Sequence, residues 1–190
     1  GGTTSARMNT SLSDKWVFIT GASAGFGAEG ARHFAREGAN VILGARRVER
    51  LESVAAECKQ AGAASAHFHE LDVACTDSVN AFVDWLKTLT SKLDVLVNNA
   101  GGSGNIGLDH IEDISEELWD QIVDGNLKSA FLCCRGVVPH MKSKRSGKIV
   151  NFSSMTARGT FGPRGTSAVR LPYAGAKSGI IGFTAQLAKD

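Results

Sequence analysis

Five short runs rich in β-branched and aromatic residues, each followed by a helical pattern, constrain this chain more than any other feature. Lys15–Thr20 is the first run and stops at a glycine, as a strand buried on both faces does. Gly25–Glu37 follows, with Phe26, Ala31, Phe34 and Ala35 at helical spacing and Gly38 as the stop. Val41–Leu43 then leads into the amphipathic stretch Val48–Ala61, and Ala66–Leu71 into Asp77–Thr90. Leu93–Val97 runs into the glycine-rich segment Gly101–Gly107. Ser115 is an N-cap, with Glu116 and Glu117 favourable in the first turn. A helical pattern resumes from Asn126 to Met141, Lys148–Ser153 forms a fifth strand, and a last helix starts at Tyr173. Strictly alternating elements predict an α/β fold: a doubly wound parallel sheet with helices on both faces and right-handed crossovers.

The length of 190 residues suits one domain over 15–190, behind a small, polar tail at residues 1–14 with Met8 as a native start. With 43% hydrophobic and 21% charged residues, neither disorder nor a fibrous repeat is expected, and a net charge of +2 gives no field that draws nucleic acid or a membrane surface. No apolar run reaches the roughly 18 residues of a membrane helix. The four cysteines, Cys58, Cys75, Cys133 and Cys134, lack CxxC spacing and read as reduced thiols in the cytoplasm.

Thr20-Gly21-Ala22-Ser23-Ala24-Gly25-Phe26-Gly27 joins the first strand to the first helix. Glycines there let the backbone approach a pyrophosphate, whose charge meets the helix N-terminal N–H groups. The spacing lacks the Gly-Lys-Ser/Thr ending of an ATP or GTP loop, and a purely structural glycine turn is the other reading. The second strand ends Leu43-Gly44-Ala45-Arg46-Arg47, with no carboxylate to hold the ribose hydroxyls of NAD and two guanidiniums suited to a 2′-phosphate. A solvated helix start is the alternative for these arginines, although cations there oppose the helix dipole. The expected cofactor is NADP(H) in preference to NAD(H).

Tyr173, the single tyrosine, and Lys177 are four apart, on one face of the last helix. A neighbouring ammonium favours a phenolate and suits a tyrosine to general acid/base work. His67 and His69 share a strand face without a third metal ligand, so no metal site is expected. Trp85 and Trp119 read as core cover, and the basic group Lys142, Lys144, Arg145 and Lys148 as a solvated turn.

Together these motifs resemble the classical short-chain dehydrogenase/reductase family, from Lys15 to Asp190. The resemblance adds Asp72-Val73 at the adenine-ring position, Asn98-Asn99-Ala100-Gly101 at the fourth strand, and Asn126, Ser154, Tyr173 and Lys177 as the catalytic group. It implies a Rossmann-like fold without the family's C-terminal strands, and hydride exchange between a nicotinamide and a small carbonyl or alcohol substrate. In that scheme Tyr173 passes the proton, Ser154 polarises the carbonyl, Lys177 holds the nicotinamide ribose, and Asn126 positions a water. Gly21, Ser23, Ala24, Gly25, Phe26, Gly27, Arg46, Arg47, Asp72, Val73, Asn99, Ala100, Gly101, Tyr173 and Lys177 would hold the cofactor. The helices Asn126–Met141 and Tyr173–Lys189 would form a homo-oligomer interface. Two departures stand out. Ser154 and Tyr173 are nineteen positions apart, around a long loop, Thr156–Pro172, that either shapes a substrate pocket or is an inert insertion; Ser153 is a stand-in for Ser154 if that loop displaces it. The chain also stops where the family continues, so a truncated, nucleotide-binding but silent protein acting through dimerisation is the rival function.

Overall fold

The computed structural model describes residues 12–103, 110–159 and 170–190. Five parallel strands, β1 (Trp16–Thr20), β2 (Asn40–Ala45), β3 (Ser65–Glu70), β4 (Val95–Asn98) and β5 (Lys148–Asn151), form one sheet in the order β3-β2-β1-β4-β5. The helices are α1 (Gly25–Arg36), α2 (Val48–Ala61), α3 (Thr76–Leu89), α4 (Glu116–Val123), α5 (Ser129–Lys144) and α6 (Leu171–Leu187). The doubly wound, Rossmann-like architecture expected from the alternation is therefore present, and the strand order reverses between β1 and β4, where such sheets open a crevice.

Side chains alternate across each strand and divide the core in two. Val17, Ile19, Val41, Leu43, Val95 and Val97 pack against α1 and α2 through Ala31, Ala35, Leu51, Val54 and Cys58. Phe18, Ile42 and Leu96 point the other way, onto Phe82, Val83 and Leu86 of α3 and Leu132, Cys133 and Val137 of α5, with Phe18 and Phe82 stacked at 4.6 Å. Each fully buried branched or aromatic side chain contributes roughly 1.5–3 kcal/mol. Phe183 and Leu187 carry α6 onto this second face.

The burial stops at β5. Val97 and Val150 are register partners on one sheet face, yet Val97 is 7% exposed and Val150 45%. No described helix covers that face beyond β4.

Two expectations are corrected. The helix of Asn126–Met141 does not begin there: helix runs without a break from Glu116 to Lys144, passing through a π-helical turn at Asp124–Lys128. The Asn126 side chain, donating to the Ile122 carbonyl at 2.8 Å, holds this widened turn. Trp119 is not core cover but half-exposed, lying beside Gly175 of α6. The predicted loop Thr156–Pro172 opens within a 3₁₀ turn, Met155–Arg158, and its last two residues, Leu171 and Pro172, are instead the start of α6. Residues 160–169 lie outside the described residues, as do 104–109 of the glycine-rich segment and residues 1–11 of the tail. Among the described residues, no helix is long and apolar enough to cross a membrane, and no cluster of metal-ligating side chains occurs.

Candidate active site

At the carboxyl ends of β1, β2, β3 and β4 lies a cleft of about 830 Å³. Gly21 and Ser23 line it from the glycine turn, Arg46 and Arg47 from the end of β2, Asp72 and Val73 from the end of β3, and Ala100, Gly101 and Asn126 from the far wall. The sequence expectation missed Gln121 and Ile122 of α4, which also line it; only tertiary folding brings that helix to the strand ends.

Local chemistry explains how the turn is held. Gly21 sits at φ +63° with its Cα face against Ala100, where a Cβ would come within 2.9 Å of the Ala100 Cα. A Cβ on Gly27 would run into the Gly21 carbonyl. Behind both, the buried Thr20 hydroxyl accepts from the Asn99 and Ala100 amides at 3.1 and 3.0 Å. The Asn99 side chain returns two bonds, to the Thr20 and Gly21 carbonyls, both at 3.2 Å. Asn99 thus stands behind the wall, clasping the glycine turn to the tip of β4, rather than on the cleft surface. Ala24 is the N-cap of α1, and Gly25, Phe26 and Gly27 form its first turn, with Phe26 83% exposed.

Arg47 caps the start of α2 and Arg46 precedes it, both exposed. The Asp72 carboxylate accepts from the Ala74 amide at 3.0 Å, while the Asp72 amide donates to the Ser78 hydroxyl at 2.9 Å. These contacts fix the loop after β3 at the cleft rim. Asn126 is buried; its Nδ2 donates to Ile122 and Gly102 carbonyls at 2.8 and 3.0 Å, so its Oδ1 is a buried acceptor with no partner among the described residues.

Tyr173 and Lys177 belong to a second locus, beside the segment that follows β5. Lys177 is 5% exposed and its Nζ donates to the Phe152 carbonyl at 3.0 Å, 5.7 Å from the centre of the Tyr173 ring. Burial holds its ammonium below the ordinary lysine range. The Ser154 hydroxyl accepts from the Thr156 amide at 3.2 Å; its own hydrogen meets no acceptor among the described residues. The turn that follows is tied to α6 by the Ser178 hydroxyl, which donates to the Ala157 carbonyl at 2.6 Å. Gly179 lets α6 approach Leu127 on the π-helical turn, so Asn126 and Lys177 are carried by elements in contact.

A model of the short chain dehydrogenase family matches residues 15–190. The chain belongs to that family. It is 37% identical over 183 residues to the 3-oxoacyl-acyl-carrier-protein reductase FabG of Chlamydia muridarum, an alignment covering 96% of this chain and 70% of that one. To the uncharacterized oxidoreductase YxbG of Bacillus subtilis it is 35% identical over 179 residues, covering 94% of this chain and 62% of YxbG. A crystal structure of a metagenomic short-chain oxidoreductase in complex with NADP superposes with a TM-score of 0.83 at 32% identity, covering 94% of this chain and 76% of that one. The chain thus spans between three fifths and three quarters of these relatives.

Proposed function

We propose that this short-chain dehydrogenase is an NADP(H)-dependent oxidoreductase acting on a small carbonyl or secondary alcohol. The observation that carries the reading is the pair of loci just described: a phosphate-compatible cleft at the strand ends, and a tyrosine beside a buried lysine on the helix after β5. The cleft fits a dinucleotide in its chemistry. Its floor is a glycine turn that accepts close backbone approach, the first turn of α1 offers N–H donors to a pyrophosphate, and Asp72 suits an adenine amine. Arg46 and Arg47, with no carboxylate at the tip of β2, favour a 2′-phosphate through bidentate, permanently charged contacts. The relative crystallised with NADP supports the same preference.

When bound, a nicotinamide supplies or takes the hydride. The chain's own residues do the rest. Ser154, with a hydrogen to donate, orients and polarises the carbonyl. Tyr173 gives its phenolic proton to the oxygen as it gains charge, and Lys177 stabilises the phenolate left behind while reaching the nicotinamide ribose. Asn126 offers its buried side-chain acceptor at the junction of the two loci and positions a water that connects Lys177 to solvent; the Lys177 ammonium hands a proton to the Tyr173 phenolate and is reprotonated along that path. Cytoplasmic residence fits the four free thiols, of which Cys58, Cys133 and Cys134 are buried, and burial pushes the Cys133 thiol up to about 12. The half-exposed Phe131 on α5 and Ile181 on α6 support a homo-oligomer through those helices.

NADPH titration followed by a screen of ketones and aldehydes tests the reading. Oxidation of NADPH coupled to carbonyl reduction supports it. Tight NADPH binding with no turnover on any carbonyl overturns it in favour of a nucleotide-binding, catalytically silent role.

A further inference from the structure

Residues two apart on an extended strand project to the same side. At the end of β5 this places Asn151 and Ser153 together facing α6, with Phe152 turned the other way and half-exposed. Each of the two polar side chains makes one bond to α6. The Ser153 hydroxyl donates to the main-chain carbonyl of Lys177 at 2.8 Å. Asn151 Nδ2 donates to the Thr184 hydroxyl at 2.9 Å, and that hydroxyl passes its own hydrogen to the Ile180 carbonyl at 2.7 Å. Asn151 is itself held from the sheet: its Oδ1 accepts from Asn98 Nδ2 at 2.8 Å. Lys177 and Thr184 are seven positions, two helical turns, apart, so α6 is fastened at two heights. One fastening leaves a helix free to swivel about it. Two fix both its rotation and its slide along β5.

We infer that Ser153 is a positioning residue, with Asn151 as its second pin, and that together they hold the turn of α6 bearing Lys177 so that its ammonium stays over the Tyr173 ring. The two adjacent serines then divide the work. The Ser153 hydrogen is committed to the Lys177 carbonyl, which removes Ser153 as a substitute for Ser154 in polarising a substrate. A carbonyl oxygen has two lone pairs, so the Lys177 carbonyl accepts from Ser153 without leaving the helix. The Lys177 side chain also reaches the Phe152 carbonyl, so the last residue of β5 and the two that follow it, Asn151, Phe152 and Ser153, all contact α6, two by side chain and one by backbone.

This inference rests on the proposed partnership of Tyr173 and Lys177, and the single tyrosine of the chain allows the two to be tested apart. Phenolate absorbance in the near ultraviolet, followed against pH, reads Tyr173 alone and needs neither cofactor nor substrate. The parent is compared with Lys177→Met, Ser153→Ala, Ser153→Thr and Thr184→Val, with thermal melts alongside. Lys177→Met is expected to move the absorbance midpoint upward. Ser153→Ala moves it the same way by about half a pH unit, Thr184→Val by less, and Ser153→Thr, which keeps the hydroxyl, restores the parent curve. A midpoint moved by Lys177→Met but not by Ser153→Ala, with only the melting temperature lowered, overturns the positioning role alone. No movement in Lys177→Met overturns the Tyr173–Lys177 partnership and this inference with it. Should Ser153→Ala fail to fold, Thr184→Val supplies the decision from the other pin: a parent-like midpoint overturns the inference.

Discussion

The two ends of the sheet are built to different standards. Around β1, β2 and β4 the buried apolar side chains of the strands pack into helix-covered cores on both faces, and the glycine turn is clasped by Thr20 and Asn99 from beneath. Around β5 and α6 one sheet face is half-bare at Val150 and Phe152, and the helix, seated on the other face by Phe183 and Leu187, is further pinned by polar bonds from Asn151, Phe152 and Ser153. The difference teaches how the proposed work is shared. Binding a dinucleotide needs a rigid, close-fitting cradle, which apolar packing on both faces provides. Moving a proton needs Lys177 buried yet held within reach of Tyr173, and there directional hydrogen bonds add a fixed orientation to the apolar seat of α6.

The comparison breaks if the two ends do not separate by mutation. The largest effect is expected from Tyr173→Phe, which leaves the cleft intact and removes the proposed proton donor. Turnover should fall by about 10²–10⁴-fold while NADPH affinity, read by fluorescence, falls far less, since the Tyr173 hydroxyl is one contact among many; a loss of affinity as large as the loss of turnover would mean that the ends are one unit. Next is Gly27→Ala in the cradle. Its new methyl meets the Gly21 carbonyl, and overpacking of that kind costs about 1–3 kcal/mol. Urea unfolding should show the loss, and NADPH affinity should fall with it.

How much of this was legible beforehand follows the same division. Buried parallel strands are continuous apolar runs and amphipathic helices repeat at 3.6 residues, so the sheet and its flanking helices could be read directly. The cleft residues Gly21, Arg46, Arg47 and Asp72 were legible because each stands within two residues of a strand's end, where such folds place ligand sites. The continuous helix from Glu116 to Lys144 was not: Gly125 and Asn126 are poor helix formers, and the π-helical turn that carries the helix through, with Asn126 bonded to the Ile122 carbonyl, has no local sequence signal. Nor were the pins of α6. Ser153 and Lys177 lie 24 positions apart, Asn151 and Thr184 33, and polar pairs at such separations leave no periodic trace in a sequence.

Two smaller effects sharpen the contrast. Val97→Ala and Val150→Ala remove the same atoms from register partners. The first should cost about 2 kcal/mol by creating a cavity, the second no more than about 0.5 kcal/mol on an exposed surface; equal costs would show that β5 is as well covered as β4. The last concerns pH. The Lys177 pKa is lower in the folded chain than the ordinary lysine value of about 10.4, because burial disfavours its charged form. Below the folded value the native state carries that penalty in full. Between the two values the unfolded chain binds more protons than the folded one, so native stability rises with pH. Lys177→Met lacks this dependence. Its melting-temperature advantage over the parent should therefore be greatest near neutrality and shrink as pH climbs towards the ordinary lysine range; an advantage that grows with pH would contradict the assignment.

The central claim is that the well-packed end is an NADP(H) cradle in its own right, selective through the arginines after β2. Titrating NADPH and NADH into the parent chain and into Arg46→Asp tests it most directly. A charge-assisted contact of about 1.5–3 kcal/mol predicts NADPH binding tighter than NADH by about tenfold or more in the parent, with that ratio collapsing in the variant. Equal affinities in the parent, or a ratio that Arg46→Asp leaves unchanged, would contradict it.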